Sequence, residues 1–175
     1  MDQSKALGTA AEALELAQQG RLDEAEGRYR EALAAADPRH HRTPDIHGEY
    51  ASLLTRMNRE TEAGRHYEKH LELELRNDPD EAGAPVVVAR YVLGEHYLRL
   101  GEAESARRAI APSLGASDQP LAWLVEAEAL YLSGAIEDAR AAAKRAVSLA
   151  ASDAQRERIA ARLAELLEDP RSDER

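Results

Sequence analysis

The chain has no cysteine, no phenylalanine, one tryptophan and only three lysines, Lys5, Lys69 and Lys144. Without thiols it forms no disulfide and offers no thiolate to a metal. Strand-forming character is scarce as well. The β-branched and aromatic enrichment of sheets is missing, and Val86, Val87 and Val88 form the one run that suits a strand. No stretch approaches the roughly 18 to 20 apolar residues of a membrane span. The opening MDQSKALGTAAEALELAQQG carries an early acid and has no continuous apolar run before Glu12 and Glu15, unlike a secretory signal, so a cytoplasmic location is expected. Positive charge is outnumbered, with a formal net charge of −10. That balance argues against nucleic acid and against anionic membranes, both of which need a basic face.

What remains is dominated by Ala, Leu, Glu and Arg, all good helix formers. The Arg and Ala richness is the composition expected of a high-GC bacterial genome. At 175 residues the chain is long enough for one domain with a sizeable core. Turn signals divide it into helical pieces. Gly20, Asn58, Gly101 and Gly134 each stand between two periodic apolar runs, where a residue that tolerates positive φ ends a helix. Pro and Gly mark longer breaks at 37–44, 77–85 and 113–120. Nine helices are predicted: 3–18, 22–36, 44–57, 60–77, 85–100, 103–111, 119–133, 136–150 and 153–168, with a disordered tail at 171–175.

Aligning the chain on the four turn residues exposes an internal repeat. Five residues after each turn comes Ala25, Ala63, Ala106 or Ala139. Seven before comes Ala13, Ala51, Gly94 or Ala127, and four before comes Leu16, Leu54, Tyr97 or Leu130. Two antiparallel helices approach closely only where side chains are small, so a small residue on the first helix facing Ala on the second lets the pair nest. This phase resembles the tetratricopeptide repeat family. The segments that carry the likeness are GRLDEAEGRYREAL (20–33), LGEHYLRLGEAESA (93–106), and Trp123 with GAIEDA (134–139).

The resemblance implies an all-α, right-handed α-solenoid of four helix-turn-helix repeats plus a C-terminal capping helix. A single domain over 1–170 would hold repeats near 6–43, 44–84, 85–119 and 120–152, with the cap at 153–168. Three departures stand out. The turn markers are 38, 43 and 33 residues apart, and such long spacing is similar to the kinesin-light-chain-like branch of the family. His70 occupies a place usually given to a small residue. Pro112 is expected to cut short the second helix of the third repeat. In the ninth helix Ile159, Leu163, Leu166 and Leu167 form an apolar stripe. It either covers the last repeat or serves as a docking helix.

Signals for chemistry are few. There is no HExxH, no GxSxG and no phosphate-binding glycine loop, so no catalytic residue, metal site or cofactor is assigned and the protein is not expected to be an enzyme. The histidines are the exception to weigh. His66 and His70 share a helix face with Glu62, and His40, His41 and His47 are candidates to complete a ligand set. A metal-dependent enzyme built on them is the remote alternative. The bland reading leaves His66 exposed and packs His70 at a helix joint.

In the resembling family the first helices line a concave face. The repeat phase then places Val88, Tyr91, Glu95 and Leu98 on it from the third repeat, and Leu121, Leu124, Glu128 and Tyr131 from the fourth. Apolar surface rimmed by charge marks a binding site. The Lys, Arg and Asn clamp by which chaperone-binding members hold a peptide carboxylate is absent, since Arg56, Arg90 and Arg99 fall out of that register. The expected function is therefore protein–protein interaction as a scaffold, adaptor or regulatory subunit. The partner would be another protein, offering a basic or amphipathic segment. Two alternatives stay open: self-association as a structural homo-oligomer, and a groove filled by the chain's own tail.

Overall fold

The computed structural model describes residues 2–80, 82–116 and 119–168. Among these residues there is no strand. The helices run α1 (Gln3–Gln18), α2 (Leu22–Ala35), α3 (Thr43–Arg56), α4 (Glu60–Asn77), α5 (Ala84–Arg99), α6 (Ala103–Ala116), α7 (Pro120–Leu132), α8 (Ile136–Ser148), α9 (Asp153–Arg162) and α10 (Ala164–Leu167). The all-α repeat class is thus as expected. The helices gather into two compact units, Met1–Ala89 and Arg90–Arg175, with the boundary inside α5. The predicted disordered tail at 171–175 lies outside the described residues.

All four turn residues do what their positions require. Gly20, Asn58, Gly101 and Gly134 adopt φ of 80°, 58°, 74° and 79°. One residue later an amide reaches back to the large apolar residue of the repeat signature: Arg21 to Leu16, Arg59 to Leu54, Glu102 to Tyr97 and Ala135 to Leu130, each at 2.9–3.0 Å. This is the Schellman closure, which satisfies carbonyls that the helix end would otherwise orphan.

In the first unit α1 packs on α2, α2 on α3, and α3 on α4. Ala13, Ala25, Ala51 and Ala63 are wholly buried at the close approaches, and Tyr29 and Tyr67 fill the core beside them. The large His70 is accommodated by an exchange of sizes. It faces Gly48 of α3, where a Cβ would lie 2.8 Å from the His70 Nδ1.

In the second unit α6 packs on α7, α7 on α8, and both α9 and α10 on α8. Gly94 of α5 meets Ile110 and Val125; an added Cβ would stand 3.1 and 3.0 Å from their methyl groups. Trp123 packs, partly buried, against the same core.

Two expectations about helix ends are corrected. Pro112 does not end α6, which runs through it to Ala116. Proline removes one amide and crowds the preceding turn, but Ser113 beyond it is buried and Leu114 packs on the core, so tertiary contacts hold the last turn. The ninth helix breaks at Leu163 into α9 and α10. Its start is closed by reciprocal bonds. Ser152 Oγ accepts from the Gln155 amide at 3.2 Å, and the Gln155 side chain accepts from the Ala151 amide at 2.8 Å. Across the break Ile159, Leu163 and Leu166 keep the 4-then-3 spacing of one helical face and all turn inward, at 3, 2 and 5 % exposure, into the cluster that holds Ala142, Ala146 and Ala150. Each such side chain contributes about 1.5–3 kcal/mol on burial.

Candidate partner-binding surface

Of the eight residues placed on the concave face, Val88 belongs to the first unit and is 49 % exposed. The other seven belong to the second unit. On α5, Tyr91, Glu95 and Leu98 follow a 4-then-3 spacing that keeps them on one helix face. On α7, Leu121, Leu124, Glu128 and Tyr131 share one face through a spacing of 3, 4 and 3. Their exposures differ widely. Tyr131 is 44 % exposed, whereas Leu124 is only 3 % exposed and Leu98 packs partly buried against the core.

Glu95 and Glu128, six residues before Gly101 and Gly134, occupy equivalent places in their repeats. The structure brings them to a single guanidinium, that of Arg162 at the end of α9. Nη1 and Nη2 donate to Glu95 at 3.0 and 2.8 Å, while Nε and Nη2 donate to Glu128 at 2.6 and 2.5 Å. Both carboxylates are thus held in the planar fork geometry that arginine, and not lysine, provides. The three side chains are part-buried, at 38 % exposure for Arg162, 19 % for Glu95 and 24 % for Glu128. Burial by itself would lower the Arg162 pKa; the hydrogen bonds and charges of Glu128 and Glu95 outweigh it and hold it raised. Tyr91 beside them is pushed up, first by burial and then by the Glu95 charge, with Arg162 opposing.

Arg162 divides a trough. On one side lies a cleft of about 310 Å³ lined by Tyr91, Leu121, Leu124, Gln155, Arg158 and Ile159 together with Arg162 itself. On the other lies a cleft of about 400 Å³ between Glu128 and Tyr131 of α7 and the α9–α10 break, where the Tyr131 hydroxyl is 3.5 Å from Glu165. The sequence reading missed Arg162 and its neighbours because it followed only the apolar residues of the ninth helix. The signal was there: Gln155, Arg158, Ile159 and Arg162 share one helical face.

The histidines of the first unit gather without forming a ligand set. His47 Nδ1 lies 2.9 Å from His66 Nδ1, and the His66 ring centroid is 4.6 Å from that of Tyr50. His66 is therefore half-buried rather than exposed. His70 is buried, with Nε2 3.6 Å from Glu74. His40 and His41 stack on each other instead. Among the described residues no group of three or more His, Cys, Asp or Glu side chains converges as metal ligands would. Desolvation lowers the pKa of His47, His66 and His70. His47 falls to about 4, helped by the neighbouring charges of His66, Lys69 and His70. Among the described residues no helix is long and apolar enough to cross a membrane.

Comparison with known proteins agrees with this architecture. A family model described as tetratricopeptide repeat matches residues 10–82 and 91–154. No curated protein matches the chain by sequence. Among solved structures, BtubC (BKLC) from P. vanneervenii superposes with a TM-score of 0.72 at 20 % identity, over 88 % of this chain and 68 % of that one. The kinesin-light-chain-like repeats from Podosopora anserina give 0.75 at 14 %, over 95 % and 87 %. PilF from Pseudomonas aeruginosa gives 0.67 at 24 %, over 95 % and 70 %. At these identities the likeness is one of fold.

Proposed function

The chain belongs to the tetratricopeptide repeat family, and we propose that it is a scaffold, adaptor or regulatory subunit whose second unit holds a segment of another protein. The repeat fold is generally a protein–protein interaction scaffold, and its members are typically non-enzymatic. The observation that carries the finer reading is the pairing of Glu95 and Glu128 on one guanidinium between two clefts. A surface that accepts a cation at its centre and offers Tyr91, Leu121 and Tyr131 beside it suits a basic or amphipathic segment. The Arg- and Ala-rich composition fits a bacterial source.

The test is co-purification of the partner from the source organism, followed by titration against variants. Tyr91→Ala is expected to weaken binding by about 1–3 kcal/mol if the ring is a hot spot. Glu95→Lys with Glu128→Lys is expected to weaken it further at low salt than at high salt, because screening shrinks charge effects. Unchanged binding in both variants would remove the proposal.

A further inference from the structure

The second unit already contains a ligand of the kind just described. α9 is a short helix that packs on α8, is anchored in the core by Ile159, and extends a cation, Arg162, to Glu95 of α5 and Glu128 of α7. The two glutamates come from different helices and use all four of their oxygens on one guanidinium. That arrangement engages four of the five N–H donors of an arginine; an ammonium has only three and no fork. Two carboxylates against one guanidinium leave an excess negative charge at the seat itself, with Arg158 a second cation on the wall of the adjoining cleft.

We propose that the Glu95–Glu128 pair is an arginine-recognition seat for the partner and that Arg162 is its resident, displaceable occupant. The inference rests on the protein-binding reading of this surface and names the residue that the partner brings. Exchange needs no unfolding. The Arg162 side chain, 38 % exposed, rotates outward while Ile159 and Leu163 stay buried and keep α9 in place. The vacated position joins the two clefts into one trough, which receives the residues flanking the incoming arginine. An apolar neighbour fits the cleft of Tyr91, Leu121 and Leu124, and the opposite side meets Tyr131. Because the resident arginine is tethered, it competes at a high effective concentration and lowers the apparent affinity of any external one.

The experiment uses the full chain and N-acetyl-arginine amide as probe, followed by calorimetric titration. Wild type is expected to bind the probe weakly. Arg162→Gln is expected to bind it on the order of tenfold more tightly, since the competitor is gone. N-acetyl-lysine amide is expected to gain less, and the triple variant Arg162→Gln, Glu95→Gln, Glu128→Gln to gain nothing. Arg162→Met, which keeps an aliphatic stem over the wall, serves if the Gln variant fails to fold. Equal weak binding by wild type, the single variants and the triple variant would overturn the seat. With the co-purified partner, Arg162→Gln is expected to tighten binding; loss of binding would make Arg162 a staple that organises the surface, and would overturn the role as occupant. The two readings fail separately. A partner that ignores both Tyr91→Ala and the paired Glu95→Lys and Glu128→Lys changes sinks the binding surface even when the probe binds, whereas a partner that responds to Tyr91→Ala while the probe is not bound sinks only the arginine seat.

Discussion

The two units solve the same joint with different chemistry. Six residues after the turn and eight before the next one, equivalent positions meet across consecutive repeats. In the first unit these are Glu26 of α2 and Tyr50 of α3, 3.2 Å apart, with Arg30 and Arg59 closing on the same carboxylate at 2.6 and 2.7 Å. In the second they are Arg107 of α6 and Glu126 of α7, paired at 3.0 Å. The acid has changed sides. What is kept is the set of fully buried alanines and the positive-φ turns, which fix how closely the helices approach. The joint accepts the acid from either helix. The groove position behaves likewise, carrying Leu14 and Ser52 in the first unit and Glu95 and Glu128 in the second.

The largest effect that would sharpen this contrast is expected at the cover of the second unit. Leu163 is 2 % exposed and sits on the apolar face of α8. Leu163→Ala should cost about 2–5 kcal/mol. Hydrogen exchange should rise in α7 to α9 and stay unchanged in α1 to α4; equal loosening of both would break the comparison. In the first unit the matching probe is the Gly48–His70 exchange of sizes. Gly48→Ala drives a Cβ toward the buried imidazole and should cost about 1–3 kcal/mol by overpacking. With His70→Ala present, the same change should become neutral or favourable, because Ala outperforms Gly in a helix by about 1 kcal/mol. A double-mutant cycle with no coupling would contradict the packing described.

Acid should act on the first unit through His47, His66 and His70, whose folded pKa values lie below the ordinary one. Unfolding releases them to bind protons, so their contribution is complete above about pH 6.5 and is lost as pH falls toward the His47 value of about 4. Glu49 and Glu74, held up by burial, act in the opposite sense at the acidic end. The contribution of His47 is therefore read as a difference. Denaturant titrations at pH 7.5 and 5 should show His47→Gln losing less stability than wild type, by about 1–2 kcal/mol. Equal losses would mean that the half-buried pair is solvated in the folded state. The smallest effect is expected at an exposed pair beside the first turn. Arg21→Ala removes the contact with Glu24 and should leave the melting temperature unchanged.

The repeat phase was legible because few residues suit its markers: positive φ at Gly20, Asn58, Gly101 and Gly134, and room only for a small residue at Ala13, Ala51, Gly94 and Ala127. Two things were not. The continuation of α6 through Pro112 depends on how Ser113 and Leu114 pack, which a local proline rule ignores. The bridge from Arg162 to Glu95 spans 67 positions, and no local pattern announces a contact at that distance. Sequence periodicity placed the two carboxylates on one face, but did not show that α9 stops at Leu163 with Arg162 as its last residue.

The measurement that tests the central claim most directly is site-specific photo-crosslinking in the source organism. A photoreactive side chain in place of Tyr131, at the edge of the trough, is compared with one in place of Lys144 on α8, which is also exposed. The account predicts that the partner is captured from position 131 and not from position 144. Capture from 144 alone would contradict it and move the binding surface to the second helices of the repeats.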